Sequence, residues 1–250
     1  MINIPLTNEL AKNAVHLGHR TSRVCPQMLP YISGVQATIH IIDLEKTRQK
    51  LEEALNFLTH LIQNQGVILF VGTKPSAKKI IKEAALKANV PYVNEKWIGG
   101  TLTNFPVILD KLISKLKTMR QEKKDNLWLE LNKKEQIEKA REIERLEKMV
   151  GGIASLTKIP DALFVIDLIK EKTAIREAKR LNIPVIGLVD TNANPTLIDW
   201  PIPANDDARR SIQFITDLVV RAIKEAQNQP KNLKKEKEKN EKKEEKKSEK

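Results

Sequence analysis

The stretch from residue 67 to residue 104 constrains the fold most, because it contains one complete unit of strand, helix and strand. It opens with a continuous apolar run, residues 67–71, breaks at Gly72, continues with apolar residues at helical spacing, and ends in a short extended segment, residues 90–93. A continuous apolar run bounded by glycine is typical of a strand buried on both faces, and such strands belong to parallel sheets. The stretch therefore predicts a β-α-β unit with a right-handed crossover.

The same alternation resumes after residue 160. Residues 162–166 and 183–189 are further apolar runs, and residues 198–203 contain two prolines, which predicts a strand at the sheet edge. We expect about five parallel strands between two layers of helices. Before the first unit, we expect a short helix over residues 7–15, an irregular segment over 16–26, extended residues at 31–32 and 38–42, and a long helix that Asp43 caps and that runs to about Gln63.

Residues 105–150 have a different pattern. Two narrow apolar stripes are separated by a break near Asp125, and charged residues of both signs flank each stripe. This pattern predicts two antiparallel helices that form a coiled-coil hairpin inserted into the α/β domain. The predicted division is thus a discontinuous α/β domain, residues 1–104 and 151–228, the insertion at 105–150, and a Lys/Glu-rich tail at 229–250 that is expected to be disordered because it is almost devoid of apolar residues.

The charge of the chain favours a polyanionic partner. The sequence has 44 Lys and Arg against 32 Asp and Glu, and residues 231–250 hold only ten Lys and six Glu, so most of the net charge of +12 lies on the body. A basic body is typical of nucleic-acid binding, although a basic surface without a partner stays the alternative. One cysteine excludes an internal disulfide, and no apolar run reaches the length of about 20 residues that a membrane span needs. The N-terminal residues lack a signal-peptide pattern, so the expected compartment is the cytosol.

Few residues suggest chemistry, and none forms a recognisable catalytic set. The residues Gly72-Thr73-Lys74 follow a strand as a phosphate loop does, but no complete phosphate-loop motif is present, and Lys74 is equally compatible with a solvated lysine. His16 and His19 have no evident third metal ligand, so hydrogen bonding or phosphate contact is favoured. Asp167 and Asp190 end strands and are expected to cap the following loops. Trp97 is expected either to stack on a base or to fill a crevice.

Several motifs resemble one known family. They are His16-Leu17-Gly18-His19, the residues HIIDLEKT at 40–47, LFVGTK at 69–74, WIGGTLTN at 97–104, PDALFVID at 160–167 and IPANDDA at 202–208. In this order, over about residues 7–226, the chain resembles the bacterial small-subunit ribosomal protein of the S-two family. It departs from the family pattern at Val24-Cys25, where Trp-Asn is usual, and at residues 193–195, which replace the commoner small residue followed by Asp-Pro.

The resemblance implies a flavodoxin-like three-layer α/β/α fold with a coiled-coil insertion. It further implies a structural, non-enzymatic protein of the small ribosomal subunit, bound to rRNA between head and body, with other small-subunit proteins, including the largest one, as neighbours. We expect no cofactor, no metal, no membrane and no small-molecule substrate. The rival interpretations are an enzyme or binding protein for a phosphorylated small molecule, built around Gly72-Thr73-Lys74, and a coiled-coil adaptor that binds a protein through residues 105–150.

Loops that follow parallel strands emerge at one edge of the sheet, so residues that are distant in sequence are expected to converge there. On this ground and on the resemblance, we predict one RNA-binding surface. Its predicted residues are His16, His19, Arg20, Arg23, Lys74, Lys96, Trp97, Thr101, Thr103 and Asn104.

Overall fold

The structure is a computed structural model that describes residues 4–228, except for the side chains of Leu109, Asp110, Leu129 and Glu130. The predicted disordered tail, residues 229–250, lies outside the described residues. Within them, no helix has both the length and the apolar character that a membrane crossing requires.

The N-terminal region forms a small sheet that the sequence predicted only in part. Helix α1 (Thr7–Lys12) is shorter than expected and precedes three antiparallel strands, β1 (Leu17–Arg20), β2 (Ile32–Gln36) and β3 (Ile39–Ile42), in the order β1-β3-β2. Strand β1 lies in the segment predicted to be irregular. The sequence of β1 does not show the usual alternation of apolar and polar residues. One reason is that its register on β3 is interrupted between Leu17 and Arg20, and another is that its residues pack on polar loops rather than on a hydrophobic core.

Helix α2 (Leu44–Gln63) begins and ends where the sequence predicts. The Asp43 carboxylate accepts hydrogen bonds from the backbone N–H groups of Glu45 and Lys46, which satisfies two donors that the first turn leaves free. The prediction of Asp43 as the cap is therefore confirmed.

The remaining elements build the main sheet and its helices. In chain order they are β4 (Ile68–Val71), α3 (Lys78–Ala88), β5 (Tyr92–Val93), α4 (Phe105–Ile108), α5 (Ser114–Lys124), α6 (Lys133–Val150), β6 (Ala162–Ile166), α7 (Lys172–Arg180), β7 (Val185–Val189), β8 (Trp200–Pro203) and α8 (Arg209–Asn228). The five strands are all parallel and stand in the order β5-β4-β6-β7-β8. The predicted parallel sheet is confirmed, and so is the edge position of the strand that contains two prolines.

The sheet separates two hydrophobic clusters, which gives the three layers of an α/β/α fold. Ile68 and Phe70 of β4 face the cluster formed with α2, α3 and α8. Leu69 and Val71 face the opposite cluster, formed with α7 and with the helices that follow β5. Because every residue of β4, β6 and β7 is buried, these strands read as continuous apolar runs in the sequence.

Residues 105–150 form two helical arms, α4 to α5 and α6, joined by a turn of 3-10 helix, Leu127–Glu130. Three ion pairs connect the arms, Lys115 with Glu142 at 2.8 Å, Arg120 with Glu147 at 3.1 Å and Lys139 with Glu122 at 3.0 Å. The predicted stripe of α6 is buried only in its second half, since Ile143 and Leu146 are buried whereas Ile137 is 52% exposed. The antiparallel coiled coil stays a prediction.

Candidate RNA-binding surface

The N-terminal segment is fixed at the carboxyl edge of the parallel sheet by buried polar residues from two loops. Thr191, which follows β7, accepts a hydrogen bond from the His19 N–H on Oγ1 at 2.9 Å and one from the Cys25 N–H on its carbonyl oxygen at 2.8 Å. Asn205, which follows β8, donates from Nδ2 to the Leu17 carbonyl at 2.6 Å. A Cβ on Gly18 would lie 2.5 Å from the Thr191 side chain, so only glycine allows this approach.

A buried carboxylate organises the loop after β5. Glu177 of α7 accepts hydrogen bonds from Trp97 Nε1 at 3.0 Å and from the backbone N–H groups of Gly100 at 2.8 Å, Leu102 at 2.9 Å and Thr103 at 3.3 Å. Gly100 has a φ of +89°, a conformation that favours glycine and that helps to turn these N–H groups towards one point. We call residues 97–103 together with Glu177 the Glu177 loop.

The ionised form of Glu177 is stabilised by these donors. Burial alone would raise the pKa of the Glu177 carboxyl, but the hydrogen bonds from Trp97 and from the loop backbone outweigh burial and lower it below its ordinary value. The folded loop therefore contains a carboxylate and not a carboxylic acid at neutral pH.

The Glu177 loop decides between the two interpretations of Trp97. Trp97 is 9% exposed and its indole N–H donates to Glu177, so the side chain fills the crevice beside the sheet rather than presenting a free face for base stacking. Thr101 is also buried, and its hydroxyl donates to the Ile98 carbonyl at 2.5 Å. Thr103 is exposed, and so are Lys96 and Asn104, which flank the loop.

Lys74 lies among carboxylates and is not a solvated lysine. Its Nζ atom is 2.6 Å from Asp206, 2.5 Å from Asp207 and 3.2 Å from Asp167. The lysine and Asp167 side chains are each 16% exposed, and that of Asp206 is 2% exposed. The charge of Lys74 is therefore already compensated within the protein.

His19 completes this group of charges, which we call the Lys74 cluster (Lys74, His19, Asp167, Asp190, Asp206 and Asp207). His19 Nδ1 is 3.1 Å from Asp190, and His19 Nε2 is 3.2 Å from Asp207. The hydrogen bond with Asp190 raises the pKa of the His19 imidazole despite its partial burial. Four carboxylates thus share one lysine and one histidine.

The shortage of cations shows in the pKa values of the cluster. Burial, together with the charges of Asp190 and Asp167, raises the pKa of Asp206 to about 7 in spite of Lys74. Burial opposes the charge on Lys74, but the neighbouring carboxylates raise the pKa of its ammonium group above the ordinary value. Burial opposes the negative charge on Asp207, but the hydrogen bond and charge of Lys74 and the charge of His19 outweigh burial and lower the pKa of its carboxyl.

Three members of the Lys74 cluster have the ligand types of a metal centre. One ligand atom each of His19, Asp190 and Asp207 lies within 4.8 Å of the others. In the structure, Asp190 and Asp207 each lie within ion-pair distance of His19, and Asp207 also contacts Lys74 directly. The sequence did not identify this group, because its members come from three segments that are far apart in the chain.

The two aspartates at strand ends have capping roles, as expected, and further contacts. Asp167 accepts hydrogen bonds from the N–H groups of Ile169 and Lys170, and Asp190 accepts from the Thr191 N–H at 2.6 Å. Both also belong to the Lys74 cluster. His16, the first residue of the histidine pair, is half-buried, and its Nδ1 atom is buried without a hydrogen-bond partner among the described residues.

The exposed cations of the predicted surface are Arg20, Arg23 and Lys96. All three side chains are exposed, and no carboxylate of the described residues lies within ion-pair distance of them. The structure therefore divides the predicted residues into exposed ones and ones that support the loops. Sequence reasoning missed Glu177, the main support, although a carboxylate between Ala174 and Ala178 on the buried face of α7 was a usable signal.

A comparison with protein families gives one match over most of the chain. The model of the family described as Ribosomal protein S2 matches residues 10–226. The matched range includes every residue of the Glu177 loop and of the Lys74 cluster, and it ends within α8.

Proposed function

Because this chain belongs to the ribosomal protein S2 family, and is therefore a structural protein of the small ribosomal subunit and not an enzyme, we propose that it binds rRNA between the head and body of that subunit. The family implies association with rRNA and with other ribosomal proteins. The position between head and body, the residues in contact with RNA and the individual neighbours are our proposal.

The observation that carries the proposal is the group of uncompensated cations at the carboxyl edge of the sheet. Arg20 and Arg23 lie on the segment that Thr191 and Asn205 fix to this edge, and Lys96 directly precedes the Glu177 loop. Cations that are not paired within the protein are available to neutralise phosphates and to release the counterions bound to RNA. Since both segments are already held by buried hydrogen bonds, little conformational entropy is lost when they bind.

We assign two roles to the predicted residues. The contact residues are Arg20, Arg23, Lys96, Thr103 and Asn104, which are exposed. The supporting residues are His16, His19, Lys74, Trp97 and Thr101, whose polar groups are buried or already engaged within the protein, with the exception of the unpartnered Nδ1 of His16. Recognition by this set depends on phosphate positions and RNA shape, as is usual for folded RNA.

We further propose that residues 105–150 form a separate unit, inserted into the discontinuous domain of residues 1–104 and 151–228. The three ion pairs between its arms support the pairing of the arms, while their buried apolar residues join the hydrophobic cluster on that side of the sheet. We propose the largest small-subunit protein as one of the neighbours and the cytoplasmic ribosome as the location. The rival enzyme around Gly72-Thr73-Lys74 is not supported, because the family is one of structural proteins and because Lys74 is held by three carboxylates.

The test is filter binding of small-subunit rRNA to the full chain over a series of salt concentrations. Changing both Arg20→Gln and Arg23→Gln should weaken binding and reduce the slope of log K against log salt by about 1.5, since each lost phosphate contact contributes about 0.7 to 0.9. The matched control, Lys87→Gln with Lys224→Gln, removes two exposed charges from helices α3 and α8 and should leave the slope unchanged.

A third variant distinguishes this surface from the helical pair. Lys117, Lys123 and Lys124 are exposed on α5, and changing all three to Gln removes charge without touching the sheet edge. If this variant loses affinity and slope while the arginine variant keeps both, the RNA-binding surface lies on residues 105–150 and our assignment is wrong.

A further inference from the structure

The strand order creates a crevice between β4 and β6. The chain leaves β4 through α3 and returns in β5 on one side, whereas it leaves β6 through α7 and returns in β7 on the other side. The loops that follow β4 and β6 therefore diverge. Open α/β sheets place their ligand crevice at such a point, outside the carboxyl ends of the strands.

An open cavity of about 380 Å³ lies at this crevice. Its lining includes Thr73 and Lys78 after β4, Lys96 and Trp97 after β5, and Lys170 and Thr173 after β6. Lys78 at the start of α3 and Lys96 and Lys170 on two loops therefore converge on one cavity, although they come from three separate segments of the chain.

The carboxylates of this cavity are already satisfied. Glu95 pairs with Lys78 at 2.6 Å. Glu171 is 2% exposed and accepts hydrogen bonds from the Thr73 N–H at 2.8 Å and the Thr73 hydroxyl at 2.6 Å. Burial raises the pKa of the Glu171 carboxyl, which disfavours its negative charge.

Two of the lysines stay available. Lys96 and Lys170 are exposed, and neither forms an ion pair within 4.0 Å in the part of the chain that the structure describes. The cavity therefore presents positive charge to solvent, and Thr173 also lines it.

The lining also limits what can bind. The Trp97 side chain is turned into the protein by its hydrogen bond to Glu177, and none of the described lining residues is an asparagine or glutamine that could pair with a base edge. Ammonium groups and hydroxyls are the donors that bind phosphate oxygens, and such contacts do not read base identity.

We propose that this cavity binds one phosphate group of the rRNA backbone, with Lys96 and Lys170 neutralising its charge and the Thr173 hydroxyl donating to a phosphate oxygen. The proposal rests on the proposed function, because rRNA supplies the phosphate. The same chemistry accepts free inorganic phosphate, so the test includes both ligands.

The first measurement is rRNA filter binding over a salt series with the full chain. Changing both Lys96→Gln and Lys170→Gln should weaken binding and lower the salt slope by about 1, the change expected for one lost phosphate contact. The control variant Lys87→Gln with Lys224→Gln should leave the slope unchanged. An equal fall in the control would show a general charge effect and would overturn the assignment.

The second measurement is NMR titration of the free protein with inorganic phosphate. We expect phosphate to shift the amide signals of residues 96, 170 and 173 in the parent chain. The same signals should stay unchanged when phosphate is added to the variant Lys96→Gln with Lys170→Gln. If phosphate shifts these signals but the lysine variant keeps the full salt slope with rRNA, the cavity binds a free anion and the assignment to the RNA backbone is wrong.

The arginine variant separates the two proposals. If Arg20→Gln with Arg23→Gln lowers the salt slope and Lys96→Gln with Lys170→Gln does not, the cavity assignment fails and Lys96 is not a contact residue, while the assignment of Arg20 and Arg23 stands. If neither variant changes affinity or slope, the surface itself is wrong, and the cavity assignment falls with it.

Discussion

The Glu177 loop and the Lys74 cluster lie at the same edge of the sheet, but they stabilise buried carboxylates in opposite ways. Glu177 is surrounded by N–H donors, three of them from the backbone, and its pKa is lowered. In the Lys74 cluster, four carboxylates share two cations, and the pKa of Asp206 is raised to about 7. Fixed dipoles add no net charge, whereas neighbouring carboxylates repel each other, so only the first arrangement fully stabilises an ionised acid.

This difference bears on the RNA-binding surface that we propose. Because its donors bind the ionised carboxylate, we expect the Glu177 loop to keep one shape wherever Glu177 is ionised and to present Lys96 in a constant position. The Lys74 cluster changes its charge near neutral pH, and its members His19, Asp190 and Asp207 line a cavity together with Arg20. We therefore expect the two regions to respond differently to mutation and to pH.

The largest effect is expected for Glu177→Ala. This change leaves the Trp97 N–H and three backbone N–H groups without their acceptor, and buried unsatisfied donors are costly. The free energy of unfolding should fall by about 4 kcal/mol, measured by urea denaturation. The exposed control Glu225→Ala on α8 should change little. A loss as small as that of the control would mean that the loop is held by packing alone.

A smaller loss is expected for Lys74→Gln, which leaves Asp167, Asp206 and Asp207 without their shared cation. Breaking this partly buried group should lower the free energy of unfolding by about 2 to 3 kcal/mol at pH 7. The loss should be smaller at pH 5, because protonation relieves the repulsion among the remaining carboxylates. A loss that is independent of pH between 5 and 8 would contradict the charge shortage that distinguishes the cluster from the Glu177 loop.

Trp97→Phe should cost about 1.5 kcal/mol, because it removes one donor to a charged acceptor and leaves the backbone donors of the Glu177 loop in place. Thermal unfolding at pH 7 measures the change. Because phenylalanine keeps an aromatic face, this variant tests the hydrogen bond to Glu177 and not base stacking. A melting temperature equal to that of the parent would show that this hydrogen bond does not stabilise the loop.

The smallest effect is expected for Asp206→Asn, and its sign depends on pH. Between the ordinary pKa of 3.8 and the folded value of about 7, the folded state binds more protons at Asp206 than the unfolded state. The contribution of Asp206 to the free energy of unfolding therefore falls as pH rises through this window. Asparagine does not titrate, so the stability of the variant relative to the parent should increase from pH 5 to pH 8.

Urea denaturation at several pH values tests this last prediction. The Glu177 loop provides the reverse comparison, because the pKa of Glu177 is lowered. The contribution of Glu177 to the free energy of unfolding is present above the pKa of its carboxyl in the unfolded chain. This contribution is lost as pH falls through the lower pKa of the folded state. Glu177→Gln should accordingly become less harmful in acid. If both variants show the same pH trend, the contrast between the two regions is wrong.

The sequence by itself determined the elements whose signal is local. Buried strands are apolar on both faces, so β4, β6 and β7 could be predicted as a parallel sheet, and two prolines predicted the edge position of β8. The Asp43 cap needs only its own chain neighbours. The family could be predicted as well, because its motifs stand in order along the chain and the family model matches residues 10–226.

Only the tertiary structure decided the roles of individual side chains at the sheet edge. Lys74 and Trp97 were each compatible with solvent, ligand or packing roles until their partners were known, and those partners, Asp206 and Glu177, lie 132 and 80 residues away along the chain. Strand β1 was hidden for the same reason, since it packs on the polar residue Thr191 rather than on an apolar face. Contacts between distant segments depend on how the elements assemble, so the spacing of residues along the chain does not predict them.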